Sequence, residues 1–433
     1  MDERLELRVV EYGEARTLLR QRLLHISRDQ NTIETVAAIL GDVAKRGDAA
    51  VLEYTSRFDG VTLDQAGMQV RPSEIEASVK RIEKTELGQA LRHAAARIRN
   101  FHERQLEKSW IMHEDGAILG QVVHPLSSAG LYVPGGKAPY PSTVLMNAIP
   151  ATVAGVRRLA LCTPANHCSD AVLYAASIAG VTEIWKVGGA QAIAALALGT
   201  ESIQPVDKIT GPGNRYVAEA KRQVFGLVDI DMVAGPSEIL VLADETSDPD
   251  LVVRDLFSQA EHDQDAGSLL VSTSQDLVAR VNERIEECVG GESRAAIITE
   301  SIRKNGMAIL VPDLDSAWEI INLYAPEHLE ILATVPLATV LSSVRNAGAI
   351  FYGNFAPEPL GDYIAGPNHT LPTAGTARYA SPLGVYDFQK RTSLIAPTRE
   401  LYDKLVDDAA RIAHAEGFMA HEASVLARKK RKD

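Results

Sequence analysis

Side chains able to bind metal or move protons fall in a few short stretches of this 433-residue chain. In Ser258-Gln259-Ala260-Glu261-His262-Asp263, Gln259 and His262 are three apart, so on a helix both leave one face and can converge on one metal ion. Alone, such a pair is more often a polar helix end. Ala325-Pro326-Glu327-His328-Leu329-Glu330 sets an acid beside an imidazole in a loop, after a proline that stops the preceding helix. Adjacent side chains point in different directions, which suits separate jobs. Imidazole can take a proton from an alcohol, and a carboxylate raised by an apolar pocket can activate water. Asp362, in Gly361-Asp362-Tyr363 ahead of Gly366-Pro367-Asn368-His369, offers a hard oxygen donor in a glycine-rich loop. Loops at the C-terminal ends of strands are where α/β sheets bind ligands. Glu416 and His421 flank a helix stop at Gly417. Together Gln259, His262, Asp362 and His421 would supply two nitrogens and two oxygens, a mix suited to zinc, with manganese or cobalt as substitutes. Spacing alone leaves open whether segments about 160 residues apart meet.

Gly188-Gly189 follows an apolar run directly and leads into a helical segment over 191–198, a geometry in which backbone N–H groups at a helix start can meet phosphate. It is not a GxGxxG fingerprint, and glycines at such turns often serve backbone geometry alone. Gly211-Pro212-Gly213-Asn214 repeats the arrangement after the next apolar run. Two such turns at neighbouring strand ends point to one ligand crevice and a nucleotide.

The elements that must position these residues show in the periodicity. Apolar spacing over 32–44 and 87–101 predicts helices, and Ser73 with Glu76 three residues on reads as a capped helix start. From about 119, short apolar runs at 130–133, 159–162, 184–187, 206–210, 239–243, 269–272 and 349–352 alternate with helical segments at 170–179, 191–198, 217–224 and 251–260. Such alternation implies parallel strands with helical crossovers in doubly wound α/β sheets. Two units are expected, one within 131–239 and one after 240, with a helical module from about 380.

A chain of this length exceeds one compact core, and roughly two to four domains are expected. Three cysteines, Cys162, Cys168 and Cys288, are too few and too odd for a disulfide framework, which favours a reducing compartment. No stretch reads as a signal peptide or a membrane span, so a soluble protein is expected. The net charge of −13 repels nucleic acid, and the basic run Arg428-Lys429-Lys430-Arg431-Lys432 reads as a solvated end.

The chain resembles the histidinol dehydrogenase family nearly end to end. The resemblance rests on Leu131-Tyr132-Val133-Pro134-Gly135-Gly136, Val187-Gly188-Gly189-Ala190-Gln191-Ala192, Gly211-Pro212-Gly213-Asn214 and Ile230-Asp231-Met232-Val233-Ala234-Gly235-Pro236-Ser237-Glu238. It continues through 258–263, 325–329, 361–372 and Ser381-Pro382-Leu383-Gly384-Val385-Tyr386-Asp387-Phe388. The resemblance implies one zinc ion per subunit on Gln259, His262, Asp362 and His421, an acid/base pair in Glu327 and His328, and NAD contacts at Tyr132, Gln191 and Asn214. It implies substrate contacts at Ser237, His369 and Glu416, and at His328 and the four metal ligands. Its fold is α/β, with two incomplete Rossmann-like doubly wound domains plus small helical N- and C-terminal extensions. The implied boundaries are 1–30 for the N-terminal helical extension, 31–130 with 240–380 for the first α/β domain, 131–239 for the second, and 381–433 for the tail.

The implied reaction is oxidation of L-histidinol through L-histidinal to L-histidine with two NAD+, the last step of histidine biosynthesis, in a cytoplasmic homodimer with intertwined tails and shared sites. Zinc would orient the substrate. Partners on nucleic acid or membrane are not expected. The runner-up is a related dehydrogenase acting on a sulfonated diol such as sulfopropanediol. A zinc hydrolase using Glu327 would leave the glycine turns without a role.

Overall fold

The computed structural model describes residues 4–24, 29–135 and 139–430. Gly136, and Arg431 and Lys432 of the basic terminus, lie outside the described residues. The chain divides into two compact units, Met1–Gln105 with Leu126–Phe388, and Leu106–Pro125 with Gln389–Asp433.

The first unit holds two parallel sheets. One has six strands in the order Arg8–Glu11, Met307–Leu310, Gly267–Ser272, Glu238–Ala243, His328–Ile331, Ala349–Tyr352. Its central strands are buried along their whole length, because helices cover both faces. Pro249–Ala260, Gln275–Val289 and Ala295–Asn305 pack on one face, and Tyr12–Leu24 and Leu314–Tyr324 on the other. The second sheet has five strands, ordered Glu183–Trp185, Arg158–Cys162, Ser128–Tyr132, Lys208–Thr210, Asp229–Ile230. After Ser128–Tyr132 the chain adds strands on one side and then crosses to the other. That reversal opens a crevice at the C-terminal end of this central strand, where Tyr132 ends.

Packing redraws several expected boundaries. Arg8–Glu11 is an edge strand of the six-stranded sheet, so the N-terminal segment is not a purely helical extension. Helices between 30 and 102 bury Val36, Ile39, Val43, Leu91 and Ile98 against the cores of the five-stranded sheet, not of the six-stranded one with which 31–130 was grouped. Pro72 is the first residue of its helix and Glu74 accepts the Arg71 N–H at 3.0 Å, so Ser73 and Glu76 lie inside the helix rather than at its start. Glu327 sits in the bend before the strand, as expected, but His328 does not sit in a loop: it opens a four-residue strand too short to show periodicity.

The second unit is a three-stranded antiparallel sheet followed by two helices. Ala117–Pro125 is its central strand, flanked by Trp110–Glu114 and Gln389–Pro397, and Arg399–Ala415 and Met419–Ala427 follow. The C-terminal module thus starts near 389 rather than 381, and it is completed by a hairpin drawn from 106–125.

Candidate active site and cofactor turns

His328 is held by its strand register. His328 lies opposite Ile239 on one side and Ala349 on the other, and its Nδ1 lies 3.1 Å from the Glu238 carbonyl. A carbonyl only accepts, so Nδ1 carries the hydrogen and Nε2 keeps its lone pair. That Nε2 is buried without a hydrogen-bond partner, 3.7 Å from Glu358 Oε1 and 4.0 Å from Asp362 Oδ1. Burial lowers its pKa to about 4, partly offset by the Asp362 charge, which keeps the ring neutral at physiological pH.

Glu327 is anchored by the same neighbour: the Glu238 N–H donates to its Oε2 at 2.9 Å. Burial pushes its carboxyl well above the ordinary range. The backbone leading to it is strained. Ala325 caps the helix Leu314–Tyr324 in the left-handed region at φ 52°, unusual for a residue with a side chain. Gly348 passes so close that a Cβ would stand 2.5 Å from the Glu327 carbonyl.

Of the candidate metal donors in the first unit, Gln259 and Asp362 lie on helices. Gln259 lies in the last turn of Pro249–Ala260, fully buried, and neither amide heavy atom has a hydrogen-bond partner. An orphaned buried amide is costly, and a cation would satisfy it. His262 lies past the helix end, in a turn closed by its N–H to the Gln259 carbonyl at 3.1 Å. The helix Glu358–Tyr363 follows the strand Ala349–Tyr352 but places Glu358 beside Glu330 and Asp362 beside His328. The cluster therefore lies at the N-terminal ends of the strands Glu238–Ala243 and His328–Ile331, not at the C-terminal ends where ligand loops were expected. His369 Nδ1 donates to the Asp362 carbonyl at 2.9 Å. Ser237 precedes the strand that supplies Glu238, and its carbonyl accepts the Gly267 N–H at 3.0 Å.

Glu416 caps the end of Arg399–Ala415, and His421 lies on Met419–Ala427, its ring stacked with Phe418 at 5.1 Å. Both belong to the second unit.

Glu358, Glu330 and Asp255 were among the acids missed from sequence. Donor atoms of His328, Glu358 and Asp362 lie within 4.8 Å of one another and could themselves hold a metal. Glu330 accepts the Glu358 N–H at 2.5 Å and adjoins Asp255. Burial and the neighbouring carboxyls push both the Glu358 and the Glu330 pKa upward. The available signal was a charged residue inside the apolar run Leu329-Glu330-Ile331.

The two glycine turns sit at the C-terminal edge of the five-stranded sheet. Tyr132 ends its central strand, and its hydroxyl accepts the Gly189 N–H at 3.0 Å. Gln191 lies in the first turn of Gly189–Leu198, fully buried, with neither amide atom paired. Asn214 Oδ1 caps Arg215–Val224, accepting from Tyr216 N at 3.0 Å and Val217 N at 3.2 Å. That turn is clamped from below: buried Lys221 donates to the Gly211 carbonyl at 2.9 Å and pairs with Asp231, which accepts the Gly211 N–H at 2.8 Å. At φ 117°, Gly211 would carry a Cβ 2.0 Å from the Tyr132 carbonyl. Gly211→Ala is expected to lower stability by about 3 kcal/mol or more and to raise the KM for NAD+. Denaturant titration and steady-state kinetics on the same variant check this.

A parallel sheet with paired glycine turns at its switch point fits nucleotide binding, and a buried imidazole with a free lone pair fits proton transfer, the two parts that an NAD-linked oxidoreductase needs. Comparison narrows the class. The histidinol dehydrogenase family profile matches residues 25–429. Histidinol dehydrogenase of Aquifex aeolicus (strain VF5) is 50% identical over 416 residues, 95% of this chain and 97% of that protein. The Chromobacterium violaceum enzyme of the same name is 53% identical over 399 residues, 91% of this chain and 92% of that protein. The crystal structure of histidinol dehydrogenase from Elizabethkingia anophelis superimposes with a TM-score of 0.92 at 34% identity, covering 99% of each chain. The chain belongs to the histidinol dehydrogenase family. None of these relatives supports the sulfonated-diol alternative.

Proposed function

We propose that the chain oxidises L-histidinol to L-histidinal and then to L-histidine, with His328 as the base in both steps and Glu327 as the base for water between them. The observation that carries this is the Nδ1 anchor on Glu238, which leaves His328 Nε2 as a buried proton acceptor. When bound, NAD+ would supply the hydride acceptor for each oxidation. For a hydride to leave the alcohol carbon, the hydroxyl must lose its proton, and Nε2 takes it. Glu327, held by the Glu238 N–H and made more basic by burial, takes a proton from the water that hydrates the aldehyde. Tyr132, Gln191 and Asn214 are the NAD contacts in this reading, and Ser237, His369 and Glu416 join the metal donors in holding substrate. The test is NADH formed per histidinol, with and without a chelator. Two equivalents, lost on chelation, are expected.

Zinc fits the residues present, since the orphaned Gln259 amide and the Asp362 carboxylate lie in one unit with His262. Held there and by His421, it would supply a fixed positive centre for the substrate's amine and imidazole nitrogens. His262→Asn is expected to lower zinc content and activity together, read by metal analysis of the purified variant. Stoichiometric zinc in that variant would point instead to His328, Glu358 and Asp362 as the ligands.

We further infer a homodimer in which the partner subunit's His421 and the partner subunit's Glu416 complete each site. The second unit supports this by exposing the apolar side chains of Trp110, Ile111, Ile395 and Ile412. Among the described residues no helix is long and apolar enough to cross a membrane. The three unpaired cysteines favour the cytoplasm.

A further inference from the structure

The Gly188–Gly189 turn carries a negative charge that neither periodicity nor motif revealed. The helix Asp48–Asp59 ends with Asp59 against this turn, its Oδ2 3.3 Å from where a Cβ of Gly188 would stand. That oxygen is shielded from solvent and has no hydrogen-bond partner. Burial pushes the carboxyl pKa up, opposed by nearby His167 and by the Gly188 N–H. Gln191 lies at the same turn with its fully buried amide unpaired, its Oε1 2.6 Å from a Cβ built on Gly189. The fully buried Gln191 amide and one oxygen of the half-buried Asp59 carboxyl thus lack partners at one turn, which marks a ligand position rather than a packing solution.

The sign of the charge selects the ligand group. A helix N-terminus alone attracts phosphate, but a carboxylate set in front of it repels phosphate and accepts hydroxyl donors. NAD+ carries a free 2′,3′-diol on its adenosine ribose, whereas NADP+ carries a phosphate on the 2′ oxygen. We propose that Asp59 accepts the adenosine-ribose hydroxyls of NAD+ and sets the preference for NAD+ over NADP+. The proposal rests on the reading of Tyr132, Gln191 and Asn214 as the cofactor turns. Asp59 lies about 130 residues before the turn it serves, so no local fingerprint could contain it.

The test compares kcat/KM for NAD+, NADP+ and 2′-deoxy-NAD+ at saturating histidinol. The unmodified enzyme is expected to lose about tenfold or more on 2′-deoxy-NAD+, the worth of a hydrogen bond to a charged acceptor, and more on NADP+. Asp59→Asn keeps the shape of the side chain. It should lower kcat/KM for NAD+ about tenfold, bring NAD+ and 2′-deoxy-NAD+ within about threefold of each other, and leave the KM for histidinol unchanged. Equal use of NAD+ and 2′-deoxy-NAD+ by the unmodified enzyme overturns the proposal, and that arm needs no variant to fold. So does a folded Asp59→Asn with the parent's NAD+ to NADP+ ratio. Gln191→Met separates the two levels. If it leaves the KM for NAD+ untouched, the cofactor turns are misassigned; if it raises that KM while Asp59→Asn changes nothing, only Asp59 is.

Discussion

His328→Asn is expected to slow both oxidations by about 10²- to 10⁴-fold, the contribution of a positioned general base. Asn can still offer an N–H to the Glu238 carbonyl, but it puts no proton-accepting nitrogen where Nε2 stands. Glu327→Gln is expected to divide the two steps. Its amide oxygen can still accept the Glu238 N–H, so local geometry survives while the proton acceptor is lost. Water is needed only once histidinal has formed, so histidinal oxidation should fall by about 10²-fold or more while histidinol oxidation stays within a few-fold of the parent. Single-turnover NADH formation from each substrate measures both. Equal losses in the Glu327 variant would remove it as the water-activating base.

The second large effect is recovery of activity from two inactive proteins. His421 lies in the second unit, whereas Gln259, His262, Asp362 and His328 lie in the first. With tails exchanged across a dimer, each site combines one chain's first unit with the partner subunit's His421. His328→Asn and His421→Asn are each expected to be inactive as homodimers. When the two are unfolded together and reassembled, a mixed dimer holds one doubly damaged site and one intact site. Random pairing makes half the dimers mixed, so about a quarter of the parent activity should return. Sites built within single chains would leave every site with one lesion, and a mixture as dead as its parents would sink the exchanged-tail arrangement.

The alternation of apolar runs and helices was legible because strands buried on both faces, such as Glu238–Ala243, read as unbroken apolar stretches bounded by turns. His328–Ile331 was not, because four residues beginning with histidine carry no usable period. Individual site residues were legible by type, as with the imidazole of His328 and the carboxylate of Asp362. Their mutual placement was not, since it depends on strand register and on a six-residue helix, Glu358–Tyr363, that brings Asp362 near His328. Glu238 escaped notice for another reason: it serves the site through its backbone N–H and carbonyl, which every residue type except proline offers.

The pairing of Arg8–Glu11 with Met307–Leu310 has a consequence for birth on the ribosome. About 300 residues separate the two strands, so at cellular synthesis speeds the first waits roughly 15 to 60 s for its partner to be made. In that interval the five-stranded sheet, whose strands all lie within 128–230, can assemble from neighbouring segments. The six-stranded sheet must close around a domain already formed, and its N-terminal edge strand is an unpaired β segment throughout the wait.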